Sequence, residues 1–182
     1  MDQLKVFLSK YSSSIKFVVV FTLLFLFYKV MFFFIWRSDY LFSLYYDFSI
    51  WWISGLLVSS DFILGILGYS TEIIEPTRIV KIAGTSGVTV GEPCIGFDIM
   101  ALFIGLIVAA TMKIKRKFLF IGLALLIINT LNVLRISALA VLVQFDPYLW
   151  ELNHKFIFTI IVYLVMFSFW RKLLKPTPGL VS

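Results

Sequence analysis

KFVVVFTLLFLFYKVMFFFIW, Lys16 to Trp36, carries a single charge between its ends, Lys29. A helix of about 20 apolar residues, rising 1.5 Å per residue, matches the roughly 30 Å hydrocarbon slab of a bilayer. The run is too long for a signal-peptide core and has no small-x-small cleavage site, so it reads as an uncleaved anchor. Working outward, further apolar runs occupy 48–69, 95–112, 118–145 and 156–174. The chain is 61% hydrophobic and holds twenty phenylalanines, more than a soluble core of 182 residues could hide. The expected fold is an all-α polytopic membrane protein, one integral membrane domain over 1–182. It has four to five membrane helices and a small outer-face β-hairpin.

Charge placement sets the expected orientation. Lys113, Lys115, Arg116 and Lys117 separate the third and fourth runs, and Arg171, Lys172 and Lys175 follow the fifth. Both clusters, with Lys5 and Lys10, are expected on the cytoplasmic side. The run 48–69 must then begin and end outside. Asp47, Ser54, Asp61, Gly65 and Gly68 recur at helical spacing on it, and Trp51 and Trp52 favour an interface. It is expected as an interfacial helix that does not cross, with a true span as the alternative. Between 72 and 93 the chain is polar enough for water. There Ile79–Ile82 and Val88–Val90 flank a glycine-containing turn, the pattern of a hairpin.

Other classes drop out. One cysteine forms no internal disulfide. The net charge of +6 sits beside apolar runs, which serves membrane orientation rather than nucleic acid. There is no zinc-ligand spacing and no glycine-rich phosphate loop, so neither metal nor cofactor is expected.

An ionisable side chain at membrane depth is expensive and needs a reason. Cys94 stands at the outer start of the third run, after Pro93 and between Glu92 and Asp98. Arg135 comes seventeen residues after Phe118, roughly 25 Å across the slab. His154, the sole histidine, precedes the fifth run. The topology brings all three to one depth on the outer face. A thiol attacks as thiolate, and a helix start favours that anion. An imidazole can carry the proton, and a guanidinium can hold an oxyanion or a carboxylate. Singly, each residue has a plainer use: Cys94 as buried filler, His154 as a hydrogen-bonding residue, and Arg135 as a partner of Asp98. Asn129, Asn132 and Arg135 share a helix face, which also serves as packing glue.

At these residues the chain resembles the exosortase/archaeosortase family of membrane-embedded cysteine enzymes, and in length its shorter Bacteroidetes-type members. The matching stretches are Cys94-Ile95-Gly96-Phe97, Asn132-Val133-Leu134-Arg135-Ile136 and His154, in the family's order, with the likeness covering about residues 60 to 170. The resemblance implies Cys94 as nucleophile, His154 as proton carrier and Arg135 as charge stabiliser, with Glu92, Gly96, Asp98 and Asn132 in support. It implies a cysteine protease or transpeptidase facing outward in a bacterial cytoplasmic membrane. Its partners would be membrane lipid and exported proteins bearing a carboxy-terminal motif, a membrane helix and a basic cluster. Ile95 departs from the family, whose members commonly carry a polar residue there. Two other classes stay open: a non-catalytic membrane scaffold, and a small transporter suggested by Lys29, Asp61, Asp98 and Arg135.

Overall fold

A computed structural model of the chain describes residues 2–75, 77–145 and 158–174. It is mostly helical: α1 (Asp2–Arg37), α2 (Asp39–Ile66), α3 (Phe97–Ala109), α4 (Ile114–Leu142) and α5 (Phe158–Leu174). Among the described residues, three helical stretches are long and apolar enough to cross a membrane: Ile15–Arg37 with 23 residues, Asp39–Ile66 with 28 and Ile114–Leu142 with 29. Phe97–Ala109 and Ile160–Arg171 are apolar but shorter. The sheet has three strands rather than the two of a hairpin: β1 (Thr71–Ile74), β2 (Ile79–Ile82) and β3 (Val88–Thr89). The chain divides into two compact units, Met1–Ser54 with Gly91–Asn129, and Gly55–Val90 with Thr130–Ser182.

In the first unit, α1 and α2 meet at one non-helical residue, Ser38. Arg37 closes α1 and Asp39 opens α2, each on the helix end whose partial charge it complements. That break lets α2 begin at Asp39, nine residues before the apolar run that marks it in the sequence. Phe32 packs on Tyr45 and Trp36 on Phe42 across the corner, with ring centroids 5.3 and 5.2 Å apart. Along α1 the rings of Phe17, Phe21, Phe25, Tyr28, Phe32 and Trp36 follow one another at 5.9–6.4 Å. Their spacing of three or four residues puts them on one stripe. α3 runs antiparallel along that stripe. Lys29 and Tyr28 reach Asp98 at its start, and a Cβ on Gly105 would lie 3.6 Å from the Phe21 ring. Lys117, in the first turn of α4, donates to the Val108 carbonyl at 2.6 Å and so covers an end group of α3.

In the second unit, β2 pairs antiparallel with both neighbours, Glu72 facing Lys81 and Val80 facing Val88. Val80, Ile82, Val88 and Val90 are buried on one face. On the other, Lys81 and Glu72 form an ion pair of 2.9 Å. β1 completes the sheet because Thr71 donates to the Asp61 carboxylate, tying the strand to the last turns of α2. Asp61 therefore has a local partner, and the glycines expected beside it do not make a packing seam: an added Cβ on Gly65 or Gly68 meets nothing within 4 Å. In this unit α2 buries Leu56, Leu57, Ser60 and Leu64, and Ser60 donates to the Leu56 carbonyl at 2.8 Å.

Candidate functional site

Cys94 is not on a membrane helix. It closes a single 3-10 turn, Glu92–Cys94, in which its amide donates to the Gly91 carbonyl at 2.9 Å and the Ile95 amide to Glu92 at 3.0 Å. Gly96 then adopts φ 76° and ψ 27°, a left-handed conformation that L side chains enter at a cost. Only after it does α3 start, at Phe97. The expected helix start at Cys94 is therefore displaced to Phe97. Pro93 opens the short turn rather than α3, and Gly96 reverses the backbone between the thiol and the helix. The amides of Phe97 and Asp98 at the head of α3 still lack helical acceptors, so their partial positive charge lies three to four residues from the sulfur in sequence.

Burial qualifies the thiol's role. Cys94 is 4% exposed and Ile95 fully enclosed, while Glu92 is half-buried. A nucleophile so covered meets substrate only after the turn or a neighbouring side chain moves.

Asp98, for which sequence suggests Arg135 as partner, is held by α1. The Lys29 ammonium donates to its Oδ1 at 2.9 Å and the Tyr28 hydroxyl to the same oxygen at 3.0 Å. Lys29 also lies 5.5 and 5.3 Å from the ring centroids of Phe25 and Tyr28. This explains the lone charge in the first apolar run. A bare charge at the bilayer centre costs about 2.5–3.5 kcal/mol on insertion scales, and pairing lowers that. Sequence reasoning singled out both residues but could not join them across 69 positions.

Next to this pair Phe97 is the resting point of α2. Its ring centroid is 6.2 Å from that of Tyr45, 5.8 Å from Phe48 and 5.9 Å from Trp52. Trp52 donates its indole N–H to Asn129 Oδ1 at 3.1 Å, so Asn129 has a structural task. Tyr28, Phe32, Phe48, Trp52, Phe97 and Met100 contribute to a cavity of about 300 Å³ with wholly apolar lining.

Asn132 and Arg135 belong to the other unit, on α4, Asn132 buried and Arg135 half-buried. His154 lies outside the described residues. Among the described residues no three of His, Cys, Asp and Glu converge as a metal site would require.

No protein-family model matches the chain, and no curated protein and no solved structure matches it.

Proposed function

We propose that the chain is a membrane-embedded cysteine protease or transpeptidase of the exosortase type. It would face outward in a bacterial cytoplasmic membrane and cut the carboxy-terminal tails of exported proteins. One observation carries the reading: the only thiol is lifted off its helix by a left-handed glycine and held in a 3-10 turn before the amino end of α3. A filler cysteine needs no such turn. The turn sets the sulfur three to four residues ahead of the first amides of α3, whose partial positive charge suits thiolate and oxyanion. In the mechanism that the family resemblance implies, Cys94 attacks the scissile carbonyl, Arg135 steadies the developing charge, and His154 takes the thiol proton and returns one to the leaving amine. Asn132 and Glu92 orient these groups.

Cys94→Ala and Cys94→Ser test it. Mass spectrometry of carboxy-terminal peptides from the cell surface should show uncut tails, each a motif followed by a membrane helix and a basic cluster, accumulating in both variants. Identical tails in wild type and variants would overturn the reading. The burial of Cys94 favours a second reading, a membrane scaffold in which the thiol is a small packed group; unchanged tails with intact assembly of a partner complex would be its signature.

A further inference from the structure

The ion pair of the first unit is deeper in the slab than it is buried in protein. Lys16 and the Lys113–Lys117 cluster mark one face. Counted from Ile15 along α1, Lys29 stands about 21 Å away; α3, ending at that face, places Phe97 at about 20 Å; from Ile114 along α4, Asn129 stands at about 22 Å. The three residues are joined by contacts, Lys29 to Asp98 beside Phe97, and Phe97 to Trp52, which bonds Asn129. Independent counts thus agree on a level about 10 Å below the far face of a roughly 30 Å slab.

At that level two things need water. The Lys29 and Asp98 side chains are 48% and 71% exposed, and an ionised pair does not turn such area toward hydrocarbon. From Gly91 to Gly96 the backbone is not regular α-helix, which membrane depth tolerates only where protein encloses it or water wets it. Cys94 and Ile95 are enclosed; Gly91 and Glu92 are partly open. Tyr45 of α2 packs against Phe97, the residue between Gly96 and Asp98, with ring centroids 6.2 Å apart.

We propose that a water-filled recess, lined by Lys29, Tyr45, Glu92 and Asp98, runs from the Arg37 end of α1 down to the turn that holds Cys94. On the thiol-peptidase reading, the recess brings the co-reactant for hydrolysis to a thiol sunk in the membrane. Water oxygen bonds to the thioester carbon, the C–S bond breaks, and the second water proton returns to sulfur, leaving acid and free thiol. That use rests on the proposed function; the recess itself does not.

The test reads water directly. In a Cys94→Ala chain in intact cells, Asp98→Cys and Glu92→Cys are each compared with Phe27→Cys, a position on α1 that is 68% exposed at similar depth. The probe is a charged, membrane-impermeant methanethiosulfonate, which reacts with hydrated thiolate. Modification of Asp98→Cys or Glu92→Cys about tenfold or more faster than Phe27→Cys is expected. Rates at both positions within about twofold of Phe27→Cys would overturn the recess. Glu92→Cys leaves the Lys29–Asp98 pair intact, so the proposal stays testable if Asp98→Cys fails to fold. Tail processing is not read here, so a dry recess and an uncatalytic Cys94 register as separate results.

Discussion

Two glycines in one turn separate backbone strain from steric overlap. Gly84 and Gly87 join β2 to β3, with φ of 85° and 76°. An alanine at either adopts a left-handed conformation, a penalty of roughly 1–2 kcal/mol. Restricting the unfolded chain returns about 0.4–1 kcal/mol of it. Gly84 looks into open space, so Gly84→Ala should destabilise the sheet by about 1 kcal/mol in total. At Gly87 an added Cβ would lie 2.6 Å from Lys81 Cβ, 2.7 Å from Ile79 Cγ2 and 2.9 Å from the Val80 carbonyl oxygen. Two of these atoms are backbone or Cβ and cannot swing aside, so overpacking adds about 1–3 kcal/mol. Gly87→Ala should then cost about 2–4 kcal/mol. Hydrogen exchange of peptides covering 79–90, measured in nanodiscs, reads the difference. Gly84→Ala should speed opening about fivefold and Gly87→Ala about thirtyfold or more. Equal acceleration by the two would refute the steric half of the reasoning, and slower exchange in Gly87→Ala would refute both halves.

Trp52→Phe keeps a ring against Phe97 but deletes the bond to Asn129; thermal unfolding in detergent should show a loss of about 0.5–1.5 kcal/mol. Gly105→Ala should be tolerated, since its Cβ meets Phe21 at an ordinary 3.6 Å, whereas Gly105→Leu should push α3 off α1 and cost about 1–3 kcal/mol in the same assay. Gly96→Ala forces φ 76° on a side chain and should cost roughly 1–2 kcal/mol. It should also lower tail processing more than its stability loss explains, read as cleaved fraction at matched protein level. Val90→Pro should open the sheet to exchange, because the Val90 amide donates to the Arg78 carbonyl at 2.9 Å.

Much of this architecture is readable from the chain because lipid imposes a coarse rule. Lys16–Trp36 and the run after Lys117 can be little else than helices once their length meets a slab of fixed thickness. Val80 and Val88 announce themselves by β-branching around glycines, and they pair. What escaped depends on partners remote in sequence. β1 is only Thr-Glu-Ile-Ile, too short to signal a strand, and it is tied down by Asp61. The start of α2 hid behind Arg37 and Asp39, charges that look like a loop and turn out to complement two helix ends. The aromatic stripe of α1 was visible at three- and four-residue spacing in a segment read only for total hydropathy. At the candidate site, Cys94 and Gly96 stood out by type. Their conformation, a 3-10 turn and a left-handed reversal, follows from φ values that composition does not encode. Asp98 stood out too, but its partner lay in another helix.

The brevity of α3 has a consequence for the surrounding lipid. Its 13 residues give about 20 Å of helix, and Asp98 is moored to Lys29, so the helix cannot slide to hide the deficit. In a bilayer about 30 Å thick, the proposed recess would make up the difference of about 10 Å with water rather than with thinned lipid. A thicker membrane would then deepen the recess above the Lys29–Asp98 mooring, and through four residues of backbone would set the depth at which Cys94 rides.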